Sequence, residues 1–354
     1  MAVSADTASP PQEFTSAMPA PLRQALRGYR ARAARPAAAQ LATTLIPLTS
    51  LFWLMHRSLT LPYWVTLSLA VPTAGFVVRA FIIMHDCAHG SFTRSRRVNE
   101  VIGIFTGAIA LTPFAHWRRE HALHHAGSGD LTRRGHGDIT TLTIEEYLAR
   151  DRWGRLKYRL YRNPLVLLGV GPFFLLFNRV QQLVQSATGY KQPTGAQPLD
   201  MAMLGIVALT VLVVGPKTLA LVYIPAFVIG AFAGIWLSHI QHQFEDAYWE
   251  DHGDWDFTSA ALRGSSYYRL PRALEWITGS IGLHHVHHLD PKIPNYNLRQ
   301  CHEENGIFQG VPELTLRGSL RTLRLRLWDP QQGRLVGFDA IADRLRAEQQ
   351  RAAS

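Results

Sequence analysis

The chain of 354 residues has only two cysteines, Cys87 and Cys301, too few for a disulfide framework to hold it together. Charged residues make up 18% against 47% hydrophobic, a balance low in charge for a soluble enzyme. The first 20 residues are rich in Ala, Pro and Ser, lack the apolar run of a signal peptide, and read as a disordered tail. There is no G-x-G-x-x-G fingerprint, no HPGG haem motif and no H-E-x-x-H zinc motif, so neither a bound nucleotide nor a fused haem domain is expected. A formal charge of +10 raises the question of nucleic acid, but no zinc-finger, RNP or phosphate-loop pattern accompanies it. The basic residues instead flank apolar blocks, as they do beside a membrane, and no nucleic-acid partner is expected.

Long apolar blocks cover residues 41–55, 61–84, 201–214 and 218–238. They predict two helical hairpins with spans at about 41–57, 61–84, 199–215 and 218–238, given the roughly 20 residues a crossing needs. Two shorter blocks, 101–115 and 164–177, contain Gly and Pro and have histidine motifs on both sides. If those histidines build one site they share a membrane face, so both blocks are predicted to be interfacial or re-entrant. Four crossings then leave the termini and a cap on one side, which the arginine-rich loops mark as the cytoplasm. Residues 1–38 read as a disordered and basic N-terminal segment, 39–320 as the membrane domain and 321–354 as a charged C-terminal tail. Arg23, Arg27, Arg30, Arg32 and Arg35 are expected to anchor on anionic lipid, and Arg79, inside the second span, to snorkel or to pair within the cap. The fold class is thus all-α and integral to the membrane, with about four transmembrane helices and a cytoplasmic helical cap.

Of 16 histidines, nine fall in four places: His85 and His89 in HDCAHGS, His121, His124 and His125 in HALHH, His242 in HQFEDAYW, and His284, His287 and His288 in HHVHH. Positions i, i+3 and i+4 share one helix face, so each cluster presents imidazoles convergently, and nine suffice for two metal ions. Chance predicts roughly 0.03 H-x-x-H-H matches at this histidine content, and two occur. Imidazole serves zinc, copper, nickel and iron alike, so spacing does not name the metal, but the missing general-base motif weighs against a zinc hydrolase.

The order HDCAHGS, HWRREHALHH with downstream GDLTRRGHGDI, HQFEDAYW, GSSYYRLP and IGLHHVHHLDPKIPNYNL resembles the membrane fatty acid desaturases over roughly residues 75–300. Three residues between His85 and His89 resemble the acyl-lipid branch, and the IPNYNL tail resembles bacterial and omega-6-type enzymes. The resemblance implies a di-iron centre that uses O2 and two electrons to place a cis double bond in an acyl chain of a membrane lipid. It also implies an external electron donor such as ferredoxin, for which the basic cap is a candidate dock, and His242 rather than His239 as the ninth ligand. Asp86, His116, Asp130, Asp138, His239, Glu245, Asp246, His285 and Asp290 adjoin the motifs and are candidates to orient the ligands from outside. Two rival readings are a hydroxylase or ketolase on the same scaffold and, from another class, a histidine-rich metal transporter with ligands inside its spans.

Overall fold

The computed structural model describes residues 18–192, 195–342, 344 and 346; the tail expected over residues 1–17 and the last residues of the C-terminal tail lie outside them. Among the described residues, four helices are long and apolar enough to cross a membrane: Ala34–Thr60 (α1), Tyr63–His89 (α2), Val166–Thr188 (α5) and Pro216–His242 (α7). Between them lie Arg96–Ile109 (α3) and Phe114–Gly127 (α4), bent by 98° at their junction, and the 17-residue Pro198–Val214 (α6). The short helix His284–Leu289 (α8) carries the last histidine cluster.

Local sequence sets these boundaries. Pro62 precedes α2, and Gly90 ends it at φ 64°, a left-handed turn that glycine adopts without steric cost. The stop falls one residue past His89, so both histidines of the first motif ride the last turns of a membrane helix. Gly215, at φ 84°, is the whole connection between α6 and α7, beyond which α6 packs against α3 and α5 and α7 against α2 and α5. The Tyr63 hydroxyl donates to the Leu221 carbonyl at 3.0 Å, so the turn joining α1 to α2 lies beside the start of α7, far from the histidines.

The expected hairpin α1/α2 is present; the expected third span, 199–215, falls on α6, which at 17 residues is not among the four span-length helices and is joined to α7 through Gly215 without packing along it. Block 101–115 falls in the bent α3/α4 pair, whose two outer ends return beside the end of α2: α3 starts six residues past Gly90, and His121 on α4 reaches His85. Block 164–177, expected as a short interfacial stretch, opens a single 23-residue helix, α5, that length and composition alone would let cross. Its two ends are nevertheless tied beside elements that bear histidines. Arg162, before its start, donates to Gln243, the neighbour of His242, and Ser186, near its end, donates to Asp200, which caps the first turn of α4.

The cap is built on one side of these helices. Its core joins Leu26, Phe257, Leu283, Val286, Leu289, Leu298 and Phe308. Each fully buried large apolar side chain there contributes about 1.5–3 kcal/mol, which offsets part of the cost of enclosing polar rings nearby. Residues 18–33, expected as a disordered basic anchor, instead pack into this core: Met18 and Leu26 are buried, Arg30 pairs with Asp290 at 2.5 Å and the Tyr29 hydroxyl donates to Glu304. The expected C-terminal tail forms two short strands, Leu327–Asp329 and Arg334–Val336, in a three-stranded sheet with Leu142–Thr143, and Tyr267–Arg269 pairs with Glu313–Thr315 in a second small sheet, so the mostly helical fold is not all-α. Arg79 pairs within the cap, its guanidinium 3.9 Å over the Trp276 ring and donating to the Trp276 carbonyl. Cys87 and Cys301 are free thiols buried in separate apolar clusters.

Candidate metal centre

Four elements deliver nine imidazoles to one place. The ends of α2 and α7 supply His85, His89 and His242, the C-terminal half of α4 supplies His121, His124 and His125, and α8 supplies His284, His287 and His288. On α8, Val286 and Leu289 pack into the cap core, which turns the flanking histidines toward the membrane helices. One group comprises His85, His89, His121 and His287, another His124, His242, His284 and His288, and within each every ligand atom lies within 4.8 Å of the others. The ninth histidine, His125, sits beside the first group, with Nε2 3.1 Å from His121 and 3.0 Å from His287.

Further Nε2 atoms face one another at 3.1 Å (His85 and His121), 3.2 Å (His124 and His288) and 3.0 Å (His242 and His284). Two nitrogens each about 2.1 Å from one ion, at right or tetrahedral angles, stand roughly 3.0–3.4 Å apart, so these spacings suit shared metals. The Nε2 of His89 is buried with no protein partner, a donor atom left over for an ion. Burial, reinforced by the neighbouring imidazoles, pushes His121, His125, His284, His287 and His288 well below the usual histidine range, leaving them neutral with a free lone pair, the form a metal requires. His124 goes the other way: burial pulls it down, but the Asp138 carboxylate 2.8 Å from its Nδ1 brings it above the usual value. Asp138 in turn is pushed up by burial and drawn down further by His124, a carboxylate–histidine couple of the kind that orients ligands.

The proposed outer partners divide. Asp86 accepts from His85 Nδ1 at 3.2 Å and is itself held by the backbone and side-chain amides of Asn295 at 2.7 and 2.8 Å, and Asp138 holds His124. The others point elsewhere. Asp130 takes His252 and Thr132, Asp290 takes Arg30, Glu245 takes Arg334 on the surface, and Asp246 is exposed. His116 gives only its backbone amide to Asp200, and His285 faces His302 at 3.0 Å on the far side of α8. His239, 1% exposed, is in neither group, whereas His242 belongs to the second.

Sequence reading missed four contacts. Trp117 stacks on His121 at 4.2 Å and 20°, and its place one helical turn before His121 could have flagged it. Asn295 lies in the IPNYNL stretch but gave no sign that it reaches Asp86, and Asp200, an acid opening an apolar helix, gave none that it caps α4. The Gly264 carbonyl accepts from His242 Nδ1 at 3.0 Å, freeing Nε2 for the centre, and a backbone group carries no side-chain signal.

Residues 58–313 match the family model described as fatty acid desaturase. The chain is 43% identical to a protein named fatty acid desaturase from Bacillus subtilis (strain 168), over 85% of this chain and 86% of that one. It is 26% identical to the sn-1 oleoyl-lipid 12-desaturase of Synechocystis sp. (strain ATCC 27184 / PCC 6803 / Kazusa), over 63% of each chain. A chloroplastic omega-6 fatty acid desaturase of Glycine max is also 26% identical, over 68% of this chain and 56% of its own length.

Proposed function

Because the chain belongs to the fatty acid desaturase family, we propose that it inserts a cis double bond into acyl chains of membrane lipids at a centre of two irons held by its nine clustered histidines. The observation that carries this reading is the pair of four-imidazole groups, each closed to within 4.8 Å, at the ends of membrane-length helices. In the balanced reaction two hydrogens leave adjacent acyl carbons, and with two electrons and two protons from outside, one O2 becomes two waters. Two irons would supply the redox chemistry that unactivated C–H bonds demand.

The chain's own residues hold and orient. His85, His89, His121, His125 and His287 would hold one iron, and His124, His242, His284 and His288 the other. Asp86 with Asn295, Asp138 and the Gly264 carbonyl fix ring planes and tautomers by engaging the Nδ1 atoms of His85, His124 and His242. The enclosing cap keeps water from rings of which seven are buried and His89 and His121 partly so. The relatives named for acyl-lipid and omega-6 activities support a lipid-bound acyl substrate. Electrons would come from a separate carrier such as ferredoxin, docking on the basic cap.

The test is expression in a host whose lipids are saturated at the relevant position, followed by mapping of double bonds by mass spectrometry. New cis-unsaturated acyl chains are expected; hydroxylated chains in their place would turn the assignment toward oxygen insertion.

We further propose a bacterial cytoplasmic membrane with the centre on the cytoplasmic side, supported by the arginine-rich cap, the α1/α2 hairpin and the one-residue turn between α6 and α7. Reporter fusions after residues 95 and 190 should both signal from the cytoplasm and one at Gly215 from outside. An external signal after residue 190 with residue 95 still inside would mean that α5 crosses, and would divide the histidines between two faces.

A further inference from the structure

Among the described residues the largest fully buried side chain is a cation, Arg162, 1% exposed. It follows the helix Arg152–Tyr161 and precedes α5, and every acceptor it meets is neutral. Nη1 donates to the Thr140 carbonyl at 3.0 Å and to Thr141 Oγ1 at 3.2 Å; Nη2 donates to Gln243 Oε1 at 2.7 Å and to the Leu325 carbonyl at 3.2 Å. A guanidinium enclosed without a carboxylate is costly, and the planar fork makes up for it only by joining several dipoles at once.

The segments it joins have one thing in common. Thr140 and Thr141 end the short stretch that begins at Asp138, the carboxylate on His124. Gln243 directly follows His242, and its amide also donates to Thr141 Oγ1 at 2.9 Å. His124 and His242 belong to the same group of four. The other group has separate supports, Asp86 with Asn295 and the Trp117 ring, to which Arg162 makes no hydrogen bond.

We infer that Arg162 is a positioning residue for one of the two metal sites, locking the Asp138 loop to the end of α7 so that His124 and His242 converge. The inference rests on the two-site reading above. Its consequence is asymmetric: loss of the fork loosens the His124/His242 site and spares the His85/His89 site. Lysine keeps the charge but presents a single point of attachment, so charge alone does not rescue it.

The test uses full-length protein purified in lipid nanodiscs, loaded with ferrous iron and analysed for metal per chain. Wild type should carry close to two irons, Arg162→Lys close to one, with turnover at least tenfold lower. In the Arg162→Lys background, adding His242→Ala should remove little more iron, whereas adding His89→Ala should remove most of what is left. Thr141→Val, which deletes only the hydroxyl shared by Arg162 and Gln243, should lower occupancy of the same site, and Arg159→Lys, on the exposed face of the preceding helix, should keep both irons. Two irons and turnover within twofold of wild type in both Arg162→Lys and Thr141→Val would overturn the inference, as would loss of both irons together from folded Arg162→Lys. A wild-type protein with fewer than two irons would instead sink the two-site reading itself.

Discussion

Alanine in place of His121, His124, His125, His284, His287 or His288 is expected to abolish desaturation while leaving the protein in the membrane. Each substitution removes a ring whose Nε2 faces another ligand nitrogen at 3.0–3.2 Å, so the site loses a donor atom and the neighbour loses its counterpart. The expected fall in turnover exceeds about 100-fold, beyond the roughly 10–100-fold cost of losing an outer partner such as Asp86. Membrane insertion depends on the apolar length of α1, α2 and α7, which these changes leave untouched. Product analysis and iron content of the six variants, normalised to protein in the membrane fraction, check this. Two variants retaining near-wild-type product and iron would remove the clusters from the reaction.

His242→Ala and His239→Ala should part sharply although the residues lie one turn apart on α7. His242→Ala takes away a ring 3.0 Å from His284 and fixed by the Gly264 carbonyl, and iron and turnover should both be lost. His239 is buried outside both groups, so His239→Ala leaves a cavity and should cost stability, roughly 1–3 kcal/mol, while keeping two irons. Iron content, activity and thermal unfolding of the pair, measured together, decide the matter. If His239→Ala loses the metal and His242→Ala keeps it, the centre lies closer to the bilayer than the geometry described above.

Much of this centre is legible in the sequence because helix periodicity does the geometric work. His121, His124 and His125 share a face by spacing alone, and Gly90 marks where α2 stops. What spacing cannot supply is contact across the fold. Asp290 stands two residues past His288 yet turns to Arg30, while Asp138, thirteen residues past His125, returns to His124. Asp130, Glu245 and Asp246 likewise adjoin the motifs without touching a ligand. Hydropathy sees α5 as able to cross, whereas tertiary contacts, the Arg162–Gln243 and Ser186–Asp200 hydrogen bonds among them, tie its ends beside the histidine-bearing elements. The strands near residues 327–336 are three residues each, too short for alternation to register. The basic run before α1 resembles a lipid anchor in composition, but Met18 and Leu26 carry it into the cap core.

The most direct test of a two-iron histidine centre is metal analysis with Mössbauer spectroscopy on the purified wild-type protein enriched in ⁵⁷Fe. Two irons per chain, in two distinguishable nitrogen-rich sites and both required for turnover, are the predicted result; fully active protein with a single iron, or with zinc and no iron, would contradict it.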